Sequence, residues 1–228
     1  MKNRICYFTR TEKLLWSVSA ALIVSAFLIF DRVNLLTLAA SLVGVTSLIF
    51  CAKGNPIGQA LMIVFSVLYG IISLTFSYYG EMITYLGMTM PMAIMSLISW
   101  LRNPYGSGKS EVRVNRISRR ELVFALLLTA VVTVIFYFIL KAFNTANLIP
   151  STISVTTSFF AAYLTCRRSP WFAAAYATND LVLIVLWTLA AFSDVSYLSV
   201  TVCFAAFFVN DLYGFVNWRR MARRQSAE

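Results

Sequence analysis

The chain has 228 residues, of which 60% are hydrophobic and only 12% are charged, and its formal net charge is +10. This composition excludes an ordinary soluble domain, and the basic residues lie beside long apolar stretches rather than in a nucleic-acid-binding surface. The absence of histidine removes the commonest metal ligand and the commonest general base near neutral pH.

Eight apolar stretches follow one another along the chain, each close to the ~20 residues that a helix needs to cross a ~30 Å hydrocarbon core. They are predicted as transmembrane helices over Leu14–Phe30, Asn34–Cys51, Ile57–Tyr78, Met82–Leu101, Leu122–Leu140, Leu148–Cys166, Trp171–Phe192 and Val195–Trp218. The first stretch has a basic start but no small-residue cleavage pattern near Phe27, which favours an uncleaved helix. The predicted class is an all-α integral membrane protein in the lipid bilayer.

Lysine and arginine are distributed unequally between the two sides of this predicted bundle. If the helices cross alternately, all but two of the 19 basic residues fall on one side. That side carries Lys2, Arg4, Arg10, Lys13, Lys53, Arg102, Lys109, Arg113, Arg116, Arg119, Arg120, Arg167, Arg168, Arg219, Arg220, Arg223 and Arg224, whereas the other side has Arg32 and Lys141. By the positive-inside rule, both termini are predicted to be cytoplasmic.

Three pairs of similar segments indicate an internal repeat. They are Val45–Ser47 with Val155–Thr157, Asn55–Pro56 with Ser169–Pro170, and Ser99–Arg102 with Asn217–Arg220. A tryptophan before arginine, as in the last pair, is also typical of an interfacial anchor. Two three-helix units joined by one linker helix have the same orientation, because four crossings return the chain to its starting side. We therefore predict parallel repeats with a ligand path between them near the midplane.

This repeat divides the chain into five regions. Residues 1–33 form a basic N-terminus and an extra transmembrane helix, and residues 34–102 form the first three-helix unit. Residues 103–147 form a cytoplasmic loop and the linker helix, residues 148–220 the second three-helix unit, and residues 221–228 a basic cytoplasmic tail. The predicted fold is thus a seven-helix 3+1+3 core with one additional N-terminal helix.

Acidic residues are rare inside the predicted spans. Of the nine in the chain, Asp180 and Asp211 lie within spans, whereas Glu81 is predicted in a short outer loop. A carboxylate inside the membrane costs at least about 2.5 kcal/mol, so each is a functional candidate. Helical spacing places Asp180 and Trp187 on one face of the seventh span, with Asn179 beside them. Asp211 lies closer to the cytoplasmic end, which favours a structural role.

The converging amide and aromatic side chains suit a flat, polar, cationic ligand. Aromatic faces stack on such a ligand and attract positive charge, while amides pair with carboxamide or hydroxyl groups. The alternative is that the amides join helices and the aromatic rings pack in the core or face lipid. The predicted ligand contacts are Trp187, Asn179, Asn210 and Gln59, followed by Tyr69, Tyr213 and Asp180.

Several motifs of membrane pumps and enzymes do not occur in the sequence. It has no G-x-x-x-x-G-K-[ST] phosphate loop, no H-E-x-x-H or G-x-S-x-G motif and no paired-cysteine metal motif. We predict neither an ATP-driven pump nor an enzyme, and no cofactor or metal.

Four features of the sequence from about Asn34 onward occur together: Gly70, the Tyr79–Glu81 segment, the seventh span with Asn179 and Asp180, and the ending Asn210–Trp218. The ending is the most specific of them and has an Asn-x-x-Tyr-Gly-x-x-x-Trp pattern. In these features and in its 3+1+3 layout, the chain resembles the PnuC family of bacterial nicotinamide riboside transporters.

The resemblance implies a fold similar to the SWEET sugar transporters and assembly as a homotrimer in the inner membrane. It also implies import of nicotinamide riboside by facilitated diffusion with no coupled ion, followed by phosphorylation in the cytoplasm that traps the substrate. Two alternatives stay open. One is a carrier for a sugar or for another vitamin, such as thiamine or riboflavin, on the same scaffold. The other is a membrane receptor that binds a ligand without transporting it.

Overall fold

The computed structural model describes residues 7–75, 79–106, 110–145 and 147–227, and the regular elements in these ranges are all helical. The α-helices are α1 (Arg10–Ala26), α2 (Leu35–Ala52), α3 (Pro56–Thr75), α4 (Tyr79–Thr84), α5 (Met90–Leu101), α6 (Arg119–Ala142), α7 (Leu148–Cys166), α8 (Phe172–Ala191) and α9 (Leu198–Ala227). Predicted positions Lys2, Arg4, Tyr78 and Lys109 lie outside the described residues.

The eight predicted transmembrane helices are confirmed. Within the described ranges, eight helical segments are long and apolar enough to cross a membrane. The first combines α1 with a π-helical turn over Phe27–Asp31, and the fourth combines α4, a π-helical turn over Tyr85–Thr89, and α5. The last helix extends beyond the predicted end at Trp218 to Ala227. This extension is rich in arginine and continues past the apolar part of the helix.

The π-helical turn in the fourth span precedes a proline. Pro91 has no backbone N–H and cannot donate a hydrogen bond to the preceding turn of the helix, so the backbone there adopts a wider turn. The hydroxyl of Thr89 donates to the carbonyl oxygen of Thr84 over 3.2 Å within this segment. The wider turn places Tyr85 and Met88 in the core.

The helices pack in a consistent order around one core. Helix α2 packs on α3, and α3 packs on α5, while α7 packs on α8 and α8 on α9. These helices meet where α2 contacts α9 and where α5 contacts α7. Helix α1 lies against α9 and α2, and α6 lies against α7. Helix α6 exposes Phe124, Leu127 and Phe138 by more than half, as expected for a surface that faces lipid.

The predicted basic connections meet at one end of the molecule, which we call the basic end. The backbone N–H of Val112 donates to the carbonyl oxygen of Gly54 over 2.9 Å, and that of Asn115 donates to Arg168 over 3.0 Å. The segment between α5 and α6 is therefore hydrogen-bonded to the loop after α2 and to the loop after α7. Arg224 near the end of α9 pairs with Glu111 in the same segment.

Two tryptophans at the basic end are buried rather than exposed as interfacial anchors. Trp100 in α5 and Trp218 in α9 are 0% exposed, and their ring centroids are 5.3 Å apart. The indole Nε1 of Trp100 donates to the carbonyl oxygen of Thr165 over 2.9 Å, and that of Trp218 donates to Cys51 over 2.8 Å. Each tryptophan adds a second donor to a carbonyl group in the last turn of a helix, which also accepts the backbone N–H of the residue three positions later.

Candidate functional site

An aromatic cluster fills the interior between α3, the fourth span, α8 and α9. It consists of Phe65, Tyr69, Tyr85, Trp187 and Phe204. The ring centroid of Tyr69 lies 4.4 Å from Tyr85, 6.0 Å from Trp187 and 6.1 Å from Phe204. Offset and edge-to-face rings at these separations attract one another and present both faces and edges to a ligand. The structure therefore brings together two predicted contact residues, Trp187 and Tyr69.

A small cavity lies beside Trp187, toward the end opposite to the basic end. Its volume is about 20 Å³, and it is lined by Glu81, Thr145, Asn147, Ser151, Leu186, Trp187 and Ala190. A cavity of this size holds about one water molecule, whereas small-molecule sites typically measure ~300–1,000 Å³. A ligand of nucleoside size does not fit this cavity unless the aromatic cluster rearranges.

Glu81 contributes a buried carboxylate to this small cavity. Glu81 is 5% exposed, although the sequence analysis predicted it in an outer loop. It lies in α4, and this helix begins the fourth span three residues before the predicted start at Met82. Among the residues that the structure describes, Glu81 has no ion-pair or hydrogen-bond partner. Ionisation of an isolated buried carboxyl group is costly, and a ligand that supplies a positive charge would offset that cost.

The two predicted intramembrane aspartates face each other between α8 and α9. Asp180 is 4% exposed and Asp211 is 5% exposed, and their carboxyl groups interact directly. Two such carboxyl groups form a stable pair when one carries a proton that it donates to the other. The hydroxyl of Tyr85 lies within electrostatic reach of Asp180 and of Glu81. A series of polar groups thus extends from the small cavity into the centre of the molecule.

Two predicted amide contacts bond mainly to neighbouring helices. The Oδ1 atom of Asn179 accepts hydrogen bonds from the hydroxyls of Thr157 and Ser158 in α7, over 2.8 and 2.9 Å. The Nε2 atom of Gln59 donates to Sγ of Cys51 over 3.2 Å. Both amides are buried, and their side chains hold helices together in this closed conformation.

The other two predicted contacts in α9 point toward α1 rather than toward the aromatic cluster. Asn210 Nδ2 donates to the hydroxyl of Ser19 over 2.8 Å, while its Oδ1 atom has no partner among the described residues. The hydroxyl of Tyr213 donates to Glu12 over 3.1 Å. Glu12 is 2% exposed and also pairs with Lys53 at 3.0 Å. These contacts join the extra N-terminal helix to the core.

Sequence reasoning did not select two residues that the structure places in the site, Glu81 and Tyr85. They are four residues apart on one helical stretch and therefore share a face. The sequence did contain a signal for Tyr85. Pro91 follows Tyr85 within two helical turns and indicates a backbone irregularity close to it. Because Glu81 was assigned to a loop, the sequence analysis did not place it on the same helix face as Tyr85.

Comparisons with known proteins agree with the geometry. A profile of the family described as nicotinamide mononucleotide transporter matches residues 34–220. The nicotinamide riboside transporter PnuC of Neisseria mucosa is 23% identical over 205 residues, which are 88% of this chain and 78% of that protein. The crystal structure described as the vitamin B3 transporter PnuC is 21% identical, with a TM-score of 0.83, and the match covers 96% of this chain and 94% of that one. This likeness shows a common fold, and the profile begins after α1.

Proposed function

This chain belongs to the nicotinamide mononucleotide transporter family, as its resemblance to the PnuC family predicted, and from that premise we propose that it imports nicotinamide riboside by facilitated diffusion. Membership makes the chain a multi-pass membrane transporter rather than an enzyme. The observation that carries the choice of substrate is the buried carboxylate of Glu81 beside the ring of Trp187.

The chemistry of the riboside matches these groups. Its pyridinium ring is flat and positively charged, so the faces of Trp187 and Tyr69 attract it and Glu81 offsets its charge. Its carboxamide and ribose hydroxyls require hydrogen-bond donors and acceptors, which Asn179, Gln59 and the free Oδ1 atom of Asn210 can supply when the helices separate.

The charge distribution favours the riboside over its 5′-phosphate, the mononucleotide. The buried ionisable groups around the aromatic cluster are the carboxyls of Glu81, Asp180 and Asp211. The described lysines and arginines lie at the ends of the helices and do not reach the centre. A phosphate group on the same path would meet like charges in a medium of low dielectric constant.

Uptake into vesicles tests the function. We expect purified protein in liposomes to equilibrate labelled nicotinamide riboside without a proton or sodium gradient, and unlabelled riboside inside the vesicles to accelerate entry. Protein-free liposomes supply the background rate. Competition by nicotinamide mononucleotide, thiamine, riboflavin and glucose should be at least tenfold weaker. Ligand binding without flux would identify a receptor instead, and alkalinisation during uptake would indicate proton coupling through Asp180.

We propose that the core consists of two parallel three-helix units joined by α6, and matched hydrogen bonds support this. Besides the two tryptophan bonds, the hydroxyl of Ser99 in α5 donates to the carbonyl oxygen of Cys166 in α7 over 2.7 Å. In the other half, Nδ2 of Asn217 in α9 donates to Ala52 in α2, also over 2.7 Å. Ser99 and Asn217 each immediately precede the tryptophan of the same helix. The residues whose carbonyl groups they bond, Cys166 and Ala52, each immediately follow the residue whose carbonyl group that tryptophan bonds.

The loops after α2 and α7 support the same relation. Gly54 and Arg168 occupy equivalent places and both have positive φ, of 65° and 55°. The next residue in each loop, Asn55 or Ser169, donates its backbone N–H to the carbonyl oxygen five residues earlier, over 3.0 and 2.9 Å. Equivalent turns with equivalent cross-contacts are expected of a repeat related by an axis along the membrane normal. The domain boundaries at residues 34, 103, 148 and 221 are part of this proposal.

We place the basic end and both termini in the cytoplasm, because almost all lysines and arginines of the described residues lie at that end. Reporter fusions after Lys109 and after Arg220 are expected to be active on the same, cytoplasmic side of the inner membrane. Opposite locations for the two fusions would contradict the parallel units and the path between them. Homotrimeric assembly and trapping of the riboside by a cytoplasmic kinase are further proposals, which rest on the resemblance, and native mass spectrometry of the purified protein measures the first.

A further inference from the structure

A groove at the basic end is lined by four arginines and no carboxylate, and we propose that it binds an anionic phospholipid. This arginine groove lies between α6, α8 and α9 over the surface of α7, and its volume is about 800 Å³. It is separate from the small cavity and the aromatic cluster, which lie in the interior and toward the opposite end.

The polar part of the groove is positively charged. Arg116 lies in the segment before α6, Arg119 is the first residue of α6, and Arg219 and Arg223 lie one turn apart on α9. Among the described residues, the ion pairs involve Lys53, Arg167 and Arg224, and none involves these four arginines. Four guanidinium groups without a counter-charge attract a phosphate group, to which guanidinium can donate two parallel hydrogen bonds.

The remainder of the groove is mostly apolar, although the hydroxyl residues Ser118, Ser169 and Thr178 also line it, and it extends toward the membrane interior. Leu122 of α6, Phe160 and Leu164 of α7, and Ala174 and Thr178 of α8 line it. Phe160 precedes the end of α7 by six residues, which corresponds to about 9 Å along the helix axis. The groove therefore combines a charged mouth with an apolar wall that follows the direction of an acyl chain. A free phosphate ion has no acyl chain that could contact this apolar wall.

Trp171 places this mouth at the level of lipid headgroups. The tryptophan is 52% exposed, and the guanidinium of Arg219 lies 4.9 Å from its ring centroid. Partly exposed tryptophan is enriched at the membrane interface, and basic pockets between transmembrane helices bind anionic headgroups. Position, charge and shape thus favour one occupant, a phospholipid with a negatively charged headgroup.

Lipid binding to the full-length protein tests this proposal. We would add phosphatidylglycerol to detergent-purified protein and measure retained lipid by native mass spectrometry and the shift in melting temperature. The double variant R219Q/R223Q is expected to weaken binding about 30-fold, because each basic residue near the headgroup contributes about a fivefold factor. The matched control is R220Q/R224Q, which removes two charges from the same helix on a side where Glu12 and Glu111 line a different cavity.

A second variant tests the apolar wall separately. Ala174→Trp fills the groove and leaves all four arginines in place, so it is expected to abolish lipid retention while the melting temperature without added lipid stays within two degrees of wild type. Phosphatidylcholine and inorganic phosphate are the comparison probes, and neither is expected to raise the melting temperature. Equal binding of the two lipids, equal loss in both double variants, or full protection by phosphate alone would each overturn the proposal.

Discussion

Replacing Trp187 with alanine is expected to weaken binding of nicotinamide riboside about 30- to 150-fold and to reduce uptake at low substrate concentration by a similar factor. Trp187 is 3% exposed, lies against Tyr69 and lines the small cavity. A desolvated contact between a cation and an indole face, together with ring stacking, contributes about 2–3 kcal/mol, which corresponds to that range of affinity. Isothermal titration and uptake into liposomes measure the two quantities.

The control must separate loss of the ring from loss of stability, because removing a buried indole costs about 3–5 kcal/mol of folding free energy. Leu183→Ala makes a cavity one turn away on the same face of α8, where Leu183 is 2% exposed. It is expected to lower the melting temperature and leave affinity unchanged. Trp187→Phe keeps an aromatic face and is expected to lose less than tenfold. Wild-type affinity in a folded Trp187→Ala protein would exclude Trp187 as a substrate contact.

Glu81→Gln is expected to weaken binding of nicotinamide riboside about 30-fold without weakening binding of its reduced dihydro form. The oxidised riboside carries a positive charge, whereas the dihydronicotinamide ring is neutral and otherwise similar in shape. Glu81 is buried, and it has no partner in the described part of the chain, so its charge acts chiefly on a ligand. An interaction between such groups contributes about 2 kcal/mol. Titration with both ligands measures the difference.

The melting temperature of the Glu81→Gln protein tests the charge argument independently of ligand binding. Because ionising an isolated buried carboxyl group is costly and glutamine cannot ionise, ligand-free Glu81→Gln protein is expected to melt at a higher temperature than wild type near neutral pH. Asp194→Asn removes an exposed carboxylate at the same end of the molecule and is expected to change neither affinity nor melting temperature appreciably. If Glu81→Gln lowers affinity equally for the cationic and the neutral riboside, Glu81 acts by shaping the cavity, and the charge argument fails.

Closure of the site explains why several predicted contacts have protein partners. Asn179 bonds to α7 and Gln59 to Cys51, while the small cavity holds about one water molecule. A carrier that releases its substrate alternates between conformations, and amides that join helices in one conformation are available to a ligand in another. The contacts of Asn210 and Tyr213 with α1 join this helix to α9 in the same conformation.

Hydropathy was sufficient to predict the number and position of the helices. Each helix satisfies its own backbone hydrogen bonds, and a lipid environment permits little other backbone structure, so a stretch of apolar residues determines a span locally. The fourth span, which contains a π-helical turn, was predicted to start at Met82 rather than at Tyr79, and Glu81 was consequently assigned to a loop. The wider turn before Pro91 was not predicted.

Helical periodicity predicted which side chains share a face of a helix, but it did not predict which other helix each face contacts. Trp100 and Trp218 have the sequence pattern of interfacial anchors, yet they are buried and donate to carbonyl groups of other helices. Asp180 and Asp211 were identified separately, and only the packing of α8 on α9 makes them a pair.

The sequence by itself determined that this protein has eight membrane-spanning helices with nearly all basic residues at one end, because hydropathy and charge act on each segment independently of its neighbours. The tertiary structure alone decided that Glu81 and Tyr85 join Trp187, and that Tyr213 turns toward Glu12. These contacts depend on the rotation and position of one helix relative to another. That geometry results from packing among residues far apart in the chain, which no local pattern encodes.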